Sequence, residues 1–376
     1  MTPPRHALVI VPRRNGDVLL ATPLIRSLRQ AWPQAALHAL VFAGTEGVIA
    51  ANPDLDRILT VAERPGPIEH AALLARIARR YDIALSLVPG DRPTAYAWIA
   101  GRRRVGLLAD APGQRWKRTL LTRWIAFDNL DTHTLRMHLR LADALDVPRR
   151  YRVVAAWSAE HAARVDALLG EARVEQPYAV LHTYPKFAYK MWHVPGWVAL
   201  ARWLAARGIG VVLPGSADAA ERAYVAAIAR ELAGCAVDLC GRLSLAETAY
   251  LIGRCSLYAG TDTVTTHMAA ALGVPVIALY GPSNPVKWGP WPGEFAEDRN
   301  PWSRLGSQTV GNVTLLQGPG ACVPCMLEGC ERRLESSSDC LQQLPAATVI
   351  AAAQRALERE AAARPASPAE KTGRTG

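Results

Sequence analysis

Short apolar runs alternate with stretches of helical spacing along the first half of the chain. Runs typical of strands occur at 7–12, 36–42, 57–61 and 83–88. Residues 17–32 and 68–80 carry apolar side chains three and four positions apart, which predicts amphipathic helices. This alternation predicts an α/β fold with a parallel, doubly wound sheet. Residues 110–131 are rich in Arg and Trp without a clear period, and we expect loop and short helix facing a partner.

The same alternation restarts after Pro177 and predicts a second unit. Strand patterns occur at 178–183, 210–214, 236–240, 257–260 and 275–280, and helical ones at 196–207, 219–232, 244–255 and 265–272. Ser244 followed by Glu247 predicts a capping box. We therefore expect two Rossmann-like domains, 1–165 and 176–357, bridged around 150–176, with a disordered tail at 364–376. Their ligand should bind in the cleft between them, at the carboxyl ends of the strands.

Composition and charge narrow the class of protein. Half of the 376 residues are apolar and mean hydropathy is +0.04, which excludes disorder of the bulk. We find no secretory signal and no apolar run of the ~18 residues that a membrane span needs, and so expect a cytoplasmic protein. Residues 1–175 contain 25 Lys and Arg against 17 Asp and Glu, with runs at 102–104 and 115–118, whereas the remainder has 18 against 16. This excess favours an anionic partner (nucleic acid, an acidic membrane surface or a phosphorylated substrate), unless it serves solubility alone.

Three segments carry candidate chemistry. Asp17 follows Asn15 and Gly16 at a predicted helix start, where it is either an N-cap or a general base at the mouth of the cleft. The turn after the strand at 257–260 combines Asp262, four threonines and His267 with a helix start, and its free N–H groups and dipole predict an anion site. Lys190, on the loop after the first strand of the second unit, can neutralise a diphosphate leaving group or be an ordinary surface lysine.

The seven cysteines form two groups. Cys235, Cys240 and Cys255 occupy strand or helix-end positions, and we expect buried thiols in a reducing compartment. The remaining four are spaced C-x2-C-x4-C-x9-C, and they are Cys322, Cys325, Cys330 and Cys340. Zinc, an iron–sulfur centre and reduced structural thiols are all open interpretations of this cluster.

Taken together, these segments resemble glycosyltransferase family 9, the lipopolysaccharide heptosyltransferases of GT-B fold. The resemblance runs in order through almost the whole chain to about residue 357. It is carried by GDVLLATPLIRSLRQAWPQA, KMWHVPGW, LCGRLSLAETAYLIGRCSLYAGTDTVTTHMAAALGVPVIALYGPSNP and the late cysteines. The segments RRNGDVLLATP and HMAAALGVPVIALYGPSNPVKWGPW look closest to the branch that adds a side heptose to the inner core.

The resemblance implies a role for each matching residue. Asp17 matches the family's catalytic base, and Lys190 matches its diphosphate-contacting lysine, with Thr183 nearby as a phosphate contact. The remaining donor contacts implied are Asp262, Thr263 and His267. Val264 replaces the family's usual glycine. A backbone contact to the donor that needs positive φ at this position is therefore not expected here, and the donor sugar could differ from the family's.

The family mechanism implied is an inverting, single displacement without a metal or other cofactor. ADP-L-glycero-β-D-manno-heptose would be the donor, and the anionic Kdo/heptose–lipid A inner core the acceptor. The protein would then act peripherally on the inner face of the inner membrane. Three alternatives remain: a family member with another nucleotide-sugar, a nucleotide-sugar epimerase on the same fold, and a nucleic-acid-binding protein. An epimerase would need acid/base carboxylates in the second half, and none is identifiable there. A nucleic-acid-binding protein would be expected to show an RRM, KH or helix-turn-helix context, which the sequence lacks.

Overall fold

Two parallel sheets organise the chain, as the alternating pattern predicted. The protein is described here by a computed structural model, covering residues 3–232 and 234–363. The predicted disordered tail at 364–376 lies outside the described residues.

The first sheet has six parallel strands in the order β3-β2-β1-β4-β5-β6. Its strands are β1 (His6–Ile10), β2 (Ala36–Phe42), β3 (Arg57–Val61), β4 (Tyr81–Ser86), β5 (Gly101–Ala109) and β6 (Arg123–Phe127). The accompanying helices are α1 (Asn15–Leu19), α2 (Thr22–Ala31), α3 (Pro67–Ile77), α4 (Asp91–Ala100) and α5 (Thr134–Asp143), with 3-10 helices at Glu46–Val48 and Pro112–Leu120.

The structure corrects two predictions in this first domain. The single helix expected at 17–32 is two helices, because Pro23 has no backbone N–H to continue α1 and instead occupies the first turn of α2. The stretch 110–131 is not only loop and short helix, since it contains β6. That strand forms the edge of the sheet and is largely exposed, and its apolar run of four residues, 124–127, is too short to distinguish a strand from a piece of helix by pattern alone.

The second sheet has seven strands in the order β12-β13-β11-β10-β7-β8-β9, of which the β12–β13 pair is antiparallel. Its strands are β7 (Tyr178–His182), β8 (Gly210–Gly215), β9 (Ala236–Cys240), β10 (Leu257–Thr261), β11 (Val276–Tyr280), β12 (Gln308–Val310) and β13 (Val313–Gln317). Its helices are α6 (Ala159–Glu171), α7 (Val194–Ala205), α8 (Ala219–Glu231), α9 (Leu245–Gly253), α10 (Val264–Leu272), α11 (Pro285–Trp288), α12 (Asp339–Gln342) and α13 (Ala346–Ala363), with a 3-10 turn at Ala188–Lys190.

Local capping and packing set the limits of the second domain. Ser244 and Glu247 form the predicted capping box at the start of α9. Val165 and Leu169 of α6 are buried in the core around β7 and β10. Residues 159–165, which the sequence assigned to the first domain, therefore pack with the second.

A buried contact joins the two domains beside the cleft. The backbone N–H of Leu135 donates to Nδ1 of His133, which leaves Nε2 to donate to the carbonyl of Gly289 at 2.7 Å. Lys287, from α11, donates from Nζ to the carbonyl of Asp128 at 2.8 Å. Burial lowers the pKa of His133 to about 3, so this imidazole is neutral at physiological pH. These contacts hold the carboxyl ends of both sheets against one cleft.

No helix within residues 3–232 and 234–363 combines the length and the apolar character that crossing a bilayer would require.

Candidate active site

Three adjoining cavities follow the cleft from the second domain to the first. The large cavity, about 740 Å³, is lined by His182, Glu221 and the start of α10. The middle cavity, about 490 Å³, shares Lys190 and Asp262 with the large one. The first-domain cavity, about 410 Å³, lies against the ends of β1 and β4–β6 and shares Asp17 with the middle one. Asp17 and the Lys190–Asp262 pair thus enter the middle cavity from opposite domains.

Asp17 is the third residue of α1 and is not its N-cap. The N-cap is Arg14, which has extended backbone and makes no side-chain cap hydrogen bond. The N-cap interpretation of Asp17 is therefore wrong. Its carboxylate lies 3.7 Å from Arg13 Nε, and burial raises its pKa despite the opposing charges of Arg13 and Lys287. A carboxylate in such surroundings is a stronger base than an exposed aspartate.

Asp262 directly follows β10 and is the centre of a dense hydrogen-bond network. Lys190 Nζ and Ser283 Oγ each donate to Asp262 Oδ2 at 2.6 Å, and the hydroxyl of Tyr280 donates to Oδ1 at 3.3 Å. Burial acts to raise the pKa of Asp262, but Lys190 and His267 outweigh it and hold that pKa well below its usual range. Asp262 is therefore ionised at any physiological pH and orients the Lys190 ammonium at the cavity wall.

The start of α10 presents a mixture of occupied and free polar groups. Thr263 is the N-cap but makes no side-chain cap hydrogen bond, and its hydroxyl contacts that of Thr265 at 2.9 Å. Thr265 and Thr266 are also hydrogen-bonded to the hydroxyl of Tyr258, so two of the four threonines help to hold the turn in place. No side chain caps this helix, and its first residues, 263–265, line the large cavity, so the first N–H groups of α10 lie at the cavity wall without a side-chain partner.

His267 is buried against both domains. Its Nε2 lies 3.8 Å from Asp262 Oδ1, while its Nδ1 is buried without a hydrogen-bond partner. Across the cleft, a Cβ built on Gly16 would stand 4.0 Å from the imidazole ring. A Cβ at this distance would make only an ordinary van der Waals contact, so the spacing between α1 and α10 does not itself require glycine at position 16.

Two further positions test the sequence predictions. Thr183 is fully buried just past β7, its hydroxyl has no partner, and it is not among the described residues that line the three cavities. Val264 is the first residue of α10 and is not among the described residues with positive φ. The backbone conformation that would have required glycine is therefore absent, and Val264 instead adds its side chain to the wall of the large cavity.

The structure adds residues that the sequence did not single out. Glu221 of α8 lines the large cavity, accepts a hydrogen bond from Ser216, and has a pKa raised by burial. Lys287 lines the middle cavity beside Asp17, and burial lowers its pKa to about 8 although Asp128 and Asp17 oppose this. Neither had a sequence signal, because each reaches the site from a helix surface through tertiary packing.

The two arginine runs lie at different ends of the first sheet. Residues 102–104 begin β5, whereas the cavities lie at its other end, beyond Ala109. Arg102 and Arg103 instead flank a surface hollow with Arg79 and Arg80. The run at 115–118 lies on the 3-10 helix that follows the cavity end of β5. The two runs therefore do not form one continuous basic surface at the cleft.

The cysteines are reduced throughout the described chain. Cys240 and Cys255 are buried as predicted, but Cys235 is exposed. In the late cluster, Cys340 is buried, and burial raises its pKa to about 11. Cys330 Sγ accepts a hydrogen bond from the backbone N–H of Asp339 at 3.3 Å.

Within residues 3–232 and 234–363, no three or more His, Cys, Asp or Glu side chains are arranged to hold a metal ion.

Comparisons with known proteins agree with this architecture. The family model "Glycosyltransferase family 9 (heptosyltransferase)" matches residues 76–298. Lipopolysaccharide heptosyltransferase 3 of Escherichia coli is 25% identical over 299 residues, which cover 74% of this chain and 84% of that protein.

Solved structures show the same fold. A glycosyl transferase family 9 protein from Veillonella parvula superposes with a TM-score of 0.76 at 20% identity, covering 94% of this chain and 97% of that one. The E. coli ADP-heptose lps heptosyltransferase II superposes with a TM-score of 0.72 at 20% identity, covering 95% and 99%. The expected GT-B fold is confirmed, and the chain belongs to glycosyltransferase family 9, the heptosyltransferases.

Proposed function

We propose that this glycosyltransferase transfers heptose from ADP-L-glycero-β-D-manno-heptose to a hydroxyl of the lipopolysaccharide inner core, inverting the anomeric configuration. One observation carries the proposal. A buried carboxylate with raised pKa, Asp17, lines the middle cavity together with Lys190 and Asp262, and these two also line the large cavity with the start of α10. A base on one side and a diphosphate-binding surface on the other are the two requirements of such a displacement.

The large cavity supplies the groups that a nucleoside diphosphate needs. Lys190 Nζ and the open N–H groups at the start of α10 provide positive charge for the phosphates. Glu221 lines the same cavity and can accept hydrogen bonds from ribose hydroxyls. The name of the E. coli structure specifies ADP-heptose as the donor of that enzyme, which supports the same donor class here.

Asp17 is the proposed general base. An acceptor hydroxyl bound in the first-domain cavity would approach the middle cavity past Asp17, which lines both. As the carboxylate takes the hydroxyl proton, the acceptor oxygen bonds to the anomeric carbon and ADP departs from the opposite face. Attack on one face and departure from the other account for inversion.

We propose that no metal takes part in the transfer. The charge that develops on the departing diphosphate would be neutralised by Lys190 and by the dipole of α10. In this account His267, whose Nε2 lies near Asp262 and whose Nδ1 is buried without a partner, donates a hydrogen bond to the donor through Nδ1. Thr263 would contact the phosphates. We propose Thr183 as a further phosphate contact, because its buried hydroxyl also has no partner; neither Thr183 nor His267 is among the described residues that line the three cavities.

The acceptor side fits an anionic glycolipid. Arg13 and Asn129 line both the middle and the first-domain cavities, so cationic and amide donors surround the path of the acceptor. We place the enzyme in the cytoplasm, peripherally at the inner face of the inner membrane, where such an acceptor would be presented. The names of the curated relatives specify lipopolysaccharide or lipooligosaccharide heptosyltransfer, which supports this acceptor class.

A mass-spectrometric assay tests the proposal. The purified protein is incubated with ADP-heptose and with inner-core acceptors of graded truncation, and each product is analysed for addition of one heptose. ADP-glucose and UDP-sugars serve as matched donors, because Val264 in the cavity wall leaves another family donor as the second candidate. Transfer from ADP-heptose to at least one core is expected. If the protein transfers sugar from another nucleotide-sugar and not from ADP-heptose, the assignment of heptose as the donor sugar is overturned, but the assignment to glycosyltransferase family 9 is not.

A further inference from the structure

Two exposed tryptophans flanked by arginines form one surface beside the first-domain cavity. We define the Trp–Arg surface by Arg115, Trp116, Arg118 and Trp124. Trp116 is 54% exposed and Trp124 is 37% exposed, although indoles of this size are normally mostly buried. Exposed aromatic groups interleaved with cations are typical of surfaces that meet a membrane interface.

The surface is held in this arrangement by defined contacts. Lys117 turns inward, where it is buried and paired with Asp91 at the start of α4. Its neighbours Arg115 and Trp116 are therefore turned toward solvent. Arg118 stacks its guanidinium over the Trp124 ring, with Cζ 4.0 Å from the centroid, and pairs with Asp110 at 3.1 Å. The indoles and cations are thus presented together.

The position of the surface links it to the acceptor path. Arg118 pairs with Asp110, the residue after Ala109, and Lys117 pairs with Asp91, the residue after Gly90. Both Ala109 and Gly90 line the first-domain cavity. A membrane seated on the Trp–Arg surface would bring its headgroups beside that cavity. We infer that the Trp–Arg surface docks the enzyme on an anionic lipid bilayer, orienting the first-domain cavity toward the leaflet that holds the acceptor.

Charge and geometry favour docking of a bilayer at the Trp–Arg surface over a general electrostatic attraction of the bilayer to the basic residues in 1–175. Arg102 and Arg103 are equally cationic but lie about 10 to 13 Å along β5 from Gly106, which is paired with Trp124, and on the side away from the cavities. Trp98 is 42% exposed on α4, but it is not among the described residues that line the surface hollow of Arg102 and Arg103. Equal charge at two positions along one strand therefore separates docking at a defined face from attraction by net charge.

Vesicle cosedimentation tests the inference without donor, acceptor or turnover. The full chain is mixed with vesicles of phosphatidylglycerol and phosphatidylcholine, and with phosphatidylcholine alone. We expect binding to the anionic vesicles to fall about 25-fold in Arg115→Gln/Arg118→Gln, at roughly fivefold for each cation. Trp116→Ser should weaken the binding that persists at high salt, because an inserted indole is not screened. Arg102→Gln/Arg103→Gln is the matched control and should bind like the parent protein.

The inference rests on the proposed function, but the two can fail separately. Transfer to a delipidated, water-soluble core should be unchanged in the Arg115/Arg118 variant, whereas transfer to acceptor embedded in vesicles should fall. The docking surface would be overturned by any of three results. The Arg102/Arg103 control could lose as much vesicle binding as the Arg115/Arg118 variant, the parent protein could bind neutral vesicles as well as anionic ones, or the parent protein could bind no vesicles. If the parent protein transfers no heptose to the water-soluble core, the proposed function is overturned instead.

Discussion

Asp17 and Asp262 line the same middle cavity from opposite domains, and their surroundings displace their pKa values in opposite directions. Burial dominates at Asp17 and raises its pKa, whereas at Asp262 the charge of Lys190 and the contact with His267 overcome burial and lower it. Two carboxylates with separated pKa values can take different roles at one pH. Asp17 is suited to accept a proton, and Asp262 to remain an anion that positions Lys190.

Lys287 should govern the pH dependence of the reaction. Its Nζ is fixed by the carbonyl of Asp128, and its charge lowers the pKa of Asp17. In Lys287→Met this charge is lost, so the pKa of Asp17 rises further and the acid limb of kcat/KM moves to higher pH. Lys287→Arg, which keeps the charge, should leave that limb near its parent position. A profile unchanged in Lys287→Met would contradict the coupling.

Lys190 should act on the donor and not on the acceptor. Lys190→Ala is expected to weaken ADP-heptose binding about 10- to 100-fold, because a charge-assisted hydrogen bond to phosphate is lost. Lys186→Ala provides the control, since Lys186 lines the same large cavity but has no assigned role in the transfer. Calorimetric titration of each variant with donor measures the difference. Equal weakening by both lysines would indicate a diffuse electrostatic effect in place of a specific contact.

His267→Ala should also weaken donor binding. The imidazole is buried beside Asp262, and its unpartnered Nδ1 is the group proposed to meet the donor. Donor binding is measured by the same calorimetric titration. His133→Gln is not a suitable control, because His133 forms a hydrogen bond that joins the two domains. His6→Ala, at the exposed first residue of β1, is the matched substitution. Unchanged donor affinity in His267→Ala would remove this residue from the donor site.

Chelation distinguishes the proposed metal-free transfer from metal-assisted chemistry. Treatment with EDTA should leave the turnover number largely unchanged, since Lys190 and the start of α10 supply the charge. Loss that Mg²⁺ restores would contradict this mechanism. Loss that only Zn²⁺ restores would assign the cluster at 322–340 a folding role.

The cysteines offer a separate stability test. Cys340 is buried where a Cβ on Gly281 would stand only 2.8 Å from its sulfur, so the thiol fills a tightly packed gap. Cys340→Ser should lower the melting temperature, because it places a hydroxyl in that gap. Cys322→Ser, at an exposed position, should change it little. Equal destabilisation by the two substitutions would indicate that the cluster acts as a unit.

Local signals predicted the parts of the fold and site that depend on nearby residues. The capping box at Ser244 and the Asp262 turn followed by α10 are examples, because strand, turn and helix patterns are contiguous there. The edge strand β6 was not predicted, because an apolar run of only four residues, 124–127, is equally compatible with a strand and with a short helix. Lys287 could not be placed beside Asp17, since 270 positions separate them and only the packing of the two domains brings them to one cavity.

The most direct test of the central claim is turnover by Asp17→Asn, measured together with donor affinity. Asparagine keeps the shape of the side chain but cannot accept the hydroxyl proton, so kcat should fall by roughly 10²–10⁴. Donor affinity should be nearly unchanged, because Asp17 does not line the large cavity.

The melting temperature of Asp17→Asn separates lost chemistry from lost structure. A carboxyl whose pKa is raised by folding supports stability at low pH and loses that support as pH rises through the folded pKa. At neutral pH the substitution should therefore leave the melting temperature equal or higher. Asp166→Asn, on α6 outside the three cavities, serves as the matched control with parent-like kcat. A large loss of kcat with intact donor binding and folding is the predicted result, and near-parent turnover by Asp17→Asn would contradict the account.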